Sequence, residues 1–122
     1  MPLVRISLAG GKPEDHRRTV AAGVHRALVE TFGVAEQDHL QVLTDAAAEA
    51  WRYDPRLAGL ERSAELVLIQ VTAADTRGVA QKRAFYRRVV ELLGAAPGIR
   101  PDDILVCLVD APRENWFLGN AL

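Results

Sequence analysis

Leu43-Thr44-Asp45-Ala46 returns as Leu108-Val109-Asp110-Ala111, and this twice-written strand ending decides the fold. Reading backwards from each copy gives the same order of elements. Before the first copy lies a strand at about His39 to Leu43. Before that strand, Val20, Val24, Leu28 and Phe32 recur every four residues and form one apolar helical stripe. Pro13-Glu14-Asp15 marks the start of this helix and Gly33 its stop. The half opens on Leu3-Val4-Arg5-Ile6-Ser7-Leu8-Ala9, an alternating strand pattern closed by Gly10-Gly11. Before the second copy stand a strand at Ile104 to Val109, a helix at about Thr76 to Ala95 with Phe85, Val89, Leu92 and Leu93 inward, and Leu66-Val67-Leu68-Ile69-Gln70-Val71. That last run is continuously apolar, as in a strand covered on both sides. Val29-Glu30-Thr31-Phe32-Gly33 against Val90-Glu91-Leu92-Leu93-Gly94 suggests the same repeat within the helices.

The expectation is one α/β (α+β) domain over residues 1–122, a duplicated β-α-β unit with halves at about 2–46 and 64–111. Right-handed crossovers put both helices on one face of a four-stranded sheet. The connection Ala46 to Arg62 holds Trp51, Tyr53, Asp54-Pro55 and Gly59 and reads as a loop. The tail from Pro112 carries Trp116 and Phe117. Neither is large enough to cover the other sheet face, so oligomerisation is expected.

Composition narrows the function classes. With 49% hydrophobic and 25% charged residues, mean hydropathy near zero and a formal net charge of -1, nucleic acid and anionic membrane are not expected partners. No apolar run reaches the roughly 18 residues of a membrane span, and Met-Pro-Leu-Val-Arg does not read as a secretory leader. The expected compartment is the cytoplasm. Cys107, the lone cysteine, sits in an apolar run and is expected to be buried and inert. His16, His25 and His39 lack metal-ligand spacing, so no metal is expected. Gly10-Gly11 lacks the motif of a phosphate loop, and no cofactor is expected.

Met1-Pro2-Leu3 ahead of a duplicated β-α-β unit resembles the tautomerase superfamily. The matching segments include Phe32-Gly33-Val34 with Asp38-His39-Leu40-Gln41, Gly59-Leu60-Glu61-Arg62-Ser63, Arg77 with Gln81-Lys82, Pro101-Asp102-Asp103, and Glu114-Asn115-Trp116 with Gly119-Asn120. The chain is similar to long tautomerase-family proteins related to malonate semialdehyde decarboxylase. The resemblance implies a tautomerase/MIF-like (4-oxalocrotonate tautomerase-like) fold, a homotrimer, and catalysis by the Pro2 amine after removal of Met1. It also implies Asp38 and Arg77 as catalytic partners, with Arg77 and Trp116 binding a small carboxylate substrate. Where the decarboxylase pattern has a further arginine, this chain has Asp75.

The chemistry suits these residues. An α-amino group starts near pKa 7.7–8.0, close to the best range for a proton shuttle. A cation such as Arg77 favours the neutral base, and a carboxylate such as Asp38 favours the ammonium acid. A charge at about 6 Å in an effective dielectric of about 20 is worth roughly 3 kcal/mol, so Asp75 matters if it faces the site. Its structural alternative is a helix-start residue. Arg5 and Arg62 are the nearest substitutes for the replaced arginine. Three functions follow from this reading. The first is proton transfer on a 2-oxo or enol acid by Pro2. The others are decarboxylation or hydration like that of malonate semialdehyde decarboxylase, and a non-catalytic trimeric binding or scaffold role.

Overall fold

The computed structural model describes residues 1–120; the last two residues of the expected domain lie outside the described residues. The order is β1 (Leu3–Ala9), α1 (Glu14–Phe32), β2 (Gln41–Ala46), β3 (Val67–Ala74), α2 (Val79–Ala95) and β4 (Ile104–Ala111). The four strands form one sheet in the order β2-β1-β3-β4. β1 runs parallel to β2, and β3 runs parallel to β4, while β1 and β3 meet antiparallel at the centre. This is the duplicated β-α-β arrangement expected from the sequence.

Both helices lie on the same face. Val4, Ile6 and Leu8 of β1 and Val67, Ile69 and Val71 of β3 form one buried cluster with Val20, Val24 and Leu28 of α1 and Phe85, Val89 and Leu93 of α2. α1 begins beyond the extended Pro13 with Glu14 and Asp15 in its first turn, where acids favour the helix dipole. It stops at Gly33, whose φ of 68° is the left-handed value that glycine tolerates. α2 begins later than expected, at Val79, because Gly78 is the N-cap and Thr76-Arg77 belong to the connection before it. β2 also begins and ends later than read from sequence, since Thr44 and Asp45 continue an edge strand rather than ending it.

The ends of the strands and turns in the two halves correspond at one constant offset. Ala9 corresponds to Ala74 and Ala46 to Ala111 as strand ends; the 3-10 turn Ala48–Ala50 corresponds to Arg113–Asn115. Val34 N–H reaches Leu28 O as Ile99 N–H reaches Leu93 O, and Asp38 N–H reaches Ala35 O as Asp103 N–H reaches Arg100 O. Arg17 pairs with Asp45 as Lys82 pairs with Asp110. The helical echo read from Val29–Gly33 and Val90–Gly94 is therefore misplaced by one turn. Gly33 corresponds to Gly98, and Leu28 to Leu93. A slip of four residues in a helix preserves the buried face, so the apolar pattern could not expose the error.

The other sheet face is bare in the single chain. Leu105, Cys107 and Val109 of β4 alternate away from the helices, beside Leu68, Gln70 and Thr72 of β3. Cys107 is exposed, contrary to the buried placement expected from its apolar neighbours. The run supplies residues to both faces, and Cys107 falls on the uncovered one.

Candidate active site

One end of the sheet gathers the chain start, the exits of β3 and β4, and the entry to β2. Pro2 is buried where the chain enters β1. Beside this entry opens a cleft of about 450 Å³, whose wall includes Met1 but not Pro2. Met1 and Ala74 form its sheet-side wall; Asp75 and Thr76 come from the β3–α2 connection; Arg113, Trp116 and Leu118 come from the tail. The turn Arg113–Asn115 follows Pro112 directly after β4, and this brings the tail back over the sheet end. The Trp116 indole N–H donates to Ala111 O at 3.3 Å, holding the ring beside the cleft.

Asp38 sits just before β2, and its Oδ2 lies 3.6 Å from the Met1 amine. Its counterpart in the second half, Asp103, is 1% exposed. The Asp103 carboxylate accepts from Ser63 N at 2.6 Å and Ser63 Oγ at 2.7 Å, and Arg100 adds an ion pair at 3.1 Å. Burial pushes the Asp103 pKa up, but these donors outweigh it and hold the group below the usual carboxylate range. The two aspartates thus share a backbone position with different surroundings. In the second half the preceding chain closes over the carboxylate, whereas at Asp38 the charged partner is the chain's amino end.

Arg77 is not in the wall of the cleft. Its Nη2 donates to Phe32 O at 2.9 Å and its guanidinium lies 5.1 Å from the Phe32 ring centroid. It thereby satisfies a carbonyl at the end of α1, where a cation suits the dipole. Asp75 is no helix cap, because α2 starts four residues further on; it is exposed and lines the cleft. Neither nominated substitute reaches the cleft wall. Arg62 is 7% exposed and donates to Asp102 O and Ile104 O, pinning the inter-half connection to β4. Arg5 projects from β1 on the uncovered sheet face. Arg113 is the cleft's side-chain cation among the described residues, and the sequence reading did not nominate it. The signal was available: Arg113 stands at the tail turn immediately before the matched Glu114-Asn115-Trp116.

A second, smaller hollow of about 230 Å³ lies at the opposite sheet end. Ala9, Gly10, Ala48 and Trp51 line it at the positions corresponding to Ala74, Asp75, Arg113 and Trp116. There Lys12 pairs with Glu65 from the connection between the halves. His25 and His39 stack with centroids 4.3 Å apart, and no group of three or more His, Cys, Asp or Glu able to hold a metal occurs among the described residues. No helix among them is long and apolar enough to cross a membrane.

Residues 38–119 match one family profile described as tautomerase enzyme, and residues 2–58 match another with the same description. The chain belongs to the tautomerase family. It is 31% identical over 120 residues to "Probable tautomerase YusQ" of Bacillus subtilis (strain 168), covering 98% of this chain and 94% of that protein. A second Bacillus subtilis (strain 168) protein, "Probable tautomerase YrdN", is 29% identical and is covered over 92% of its length. Among solved structures, a malonate semialdehyde decarboxylase shares 28% identity with a TM-score of 0.89, covering 98% of this chain and 92% of that one. A fused 4-OT symmetric trimer, at 20% identity and a TM-score of 0.81 over 98% and 94% of the two chains, has the same fold.

Proposed function

We propose that this tautomerase-family chain is an enzyme in which the amine of Pro2, freed by removal of Met1, is the general acid and base for a small 2-oxo or enol carboxylic acid. The observation that carries this reading is the 3.6 Å approach of Asp38 to the amine of Met1, a residue of the 450 Å³ cleft's wall. Loss of Met1 removes that wall residue and opens the Pro2 nitrogen toward the cleft. Asp38 then orients the amine by accepting its N–H. The amine takes the proton from the enol oxygen and the resulting ammonium returns a proton to the adjacent carbon, so protons balance over the turnover. Arg77, one residue beyond the cleft-lining Thr76, adds positive charge behind the site and acts on the substrate only when it releases Phe32. Trp116 is the apolar wall against which the substrate lies. The uncovered sheet face is closed by assembly into a homotrimer.

A second reading, decarboxylation, is favoured by the likeness to malonate semialdehyde decarboxylase. Asp75, an acid in the cleft wall, weighs against it. The test uses protein with a verified free Pro2, assayed on an enol-pyruvate-type substrate and on malonate semialdehyde beside Pro2→Ala and an uncleaved-Met form. Loss of ketonisation in both altered forms is expected. Equal rates in all three would refute the proline mechanism, and carbon dioxide release from malonate semialdehyde that needs Pro2 would favour the second reading. No Pro2-dependent turnover of either compound would favour a binding or scaffold role.

A further inference from the structure

We infer that Arg113 holds the substrate carboxylate and that Asp75, in the wall of the same cleft, restricts the substrate to monocarboxylic acids carrying an apolar group. This rests on the reading of the cleft as the enzyme's site. The internal duplication provides a control. The cleft and its counterpart at the other sheet end share their neutral walls, with Ala74 matching Ala9 and Trp116 matching Trp51. They differ in charge. Arg113 stands where the other hollow has Ala48, and Asp75 stands where it has Gly10. Ala48 satisfies the fold where Arg113 stands, so that charge is not required for packing; at Gly10 the backbone of Ala46 and Ala47 leaves no room for a Cβ, whereas Asp75 carries an exposed side chain.

The state of the charges differs as well. In the counterpart hollow, Lys12 and Glu65 neutralise each other. In the cleft, neither the Arg113 guanidinium nor the Asp75 carboxylate has an ion-pair or hydrogen-bond partner among the described residues, although both belong to its wall. A guanidinium presents parallel N–H donors that match a carboxylate in a bidentate pair. With one side-chain cation in the cleft wall among the described residues, one carboxylate is held in this way. A second would find Asp75, and like charges repel where solvent is partly excluded. Trp116 and Leu118 leave an apolar flank for the rest of the molecule.

The test compares the enol of 3-phenyl-2-oxopropanoate with the enol of 2-oxobutanedioate, and adds calorimetric binding of the inert acid 3-phenylpropanoate. Arg113→Gln is expected to raise KM for the monoacid, and Kd for 3-phenylpropanoate, by about 10- to 100-fold while kcat changes about threefold or less, as for loss of a charge-assisted bond made equally in ground and transition states. Arg113→Lys should recover part of the loss. Asp75→Asn should lower KM for the diacid by about fivefold or more relative to its effect on the monoacid. A wild-type affinity for 3-phenylpropanoate no tighter than that of Arg113→Gln would overturn the inference, whatever the rates. So would an equal KM effect of Arg113→Gln on the uncharged methyl ester. Pro2→Ala separates the two claims. Undiminished turnover there removes the proline mechanism, while 3-phenylpropanoate binding still decides the role of Arg113.

Discussion

Asp103 and Asp38 occupy the same place in the two halves, and replacing each by asparagine should give opposite outcomes. Asp103 is 1% exposed and accepts from Ser63 N–H, Ser63 O–H and Arg100. Hydrogen bonds to a charged acceptor contribute about 1.5–3 kcal/mol each. Asparagine keeps one acceptor oxygen but turns the other site into a donor facing donors. Arg100 is half exposed and can return to water, which limits its share. The expected cost of Asp103→Asn is about 2–4 kcal/mol in urea unfolding at fixed protein concentration. Asp38, a third exposed, should cost about 0–1 kcal/mol as Asn, with the loss appearing in turnover instead. The pH dependence has a definite sign. The Asp103 pKa is lowered in the fold, so the unfolded chain binds the proton more tightly. Its stabilisation is complete above the unfolded value of about 3.9 and is lost as pH falls through the lower folded value. The gap between wild type and Asp103→Asn should therefore narrow only under acid conditions. A cost for Asp103→Asn below about 1 kcal/mol, or equal costs for the two variants, would refute this account of the paired positions.

The remaining predictions concern the frame around the cleft. Gly10→Ala should destabilise by about 1–3 kcal/mol, because a Cβ there would lie 2.9 Å from Ala46 O and 3.1 Å from Ala47 Cα, backbone atoms with little room to yield; an unchanged melting curve would contradict that close approach. Arg77→Ala should cost about 1–2 kcal/mol through the lost Phe32 carbonyl bond and ring contact. Thermal melts separate this loss from any change in KM. Cys107 should react with a thiol reagent quickly in dilute single chains and slowly once the sheet face is covered. Equal rates at all protein concentrations would argue against assembly through that face.

The sequence made the architecture legible because strand alternation, the α1 stripe and the repeated strand ending all agreed. What it obscured has physical causes. The helical repeat could slip by one turn because Leu28 and Phe32 both lie on the buried face of α1, so the apolar pattern lets Leu93 match either. Cys107 looked buried because a covered strand and an edge strand with one open face can share the same apolar composition. The resemblance nominated Pro2, Asp38 and Trp116, and the fold brings all three to one end. Arg77 was readable as an arginine at the right place but not as a partner of Phe32, since a long side chain can turn either way. Arg113 was missed because a cation in a tail has no periodic signature. The three-dimensional repeat matches it with Ala48 and places it in the cleft wall.

The strand order has a consequence for the life of the newly made chain. β4 lies at a rim of the sheet, and between its ends, where Arg62 holds Ile104 O and the Trp116 indole holds Ala111 O, its outer backbone groups can template another strand. Its rim is also apolar on the uncovered side, through Leu105 and Val109. Under the proposed trimeric assembly, a subunit that folds before meeting its partners carries an adhesive border, and slow assembly would divert it into edge-to-edge aggregates. Yield of the folded protein should accordingly depend on how fast subunits find each other as much as on how stably each one folds.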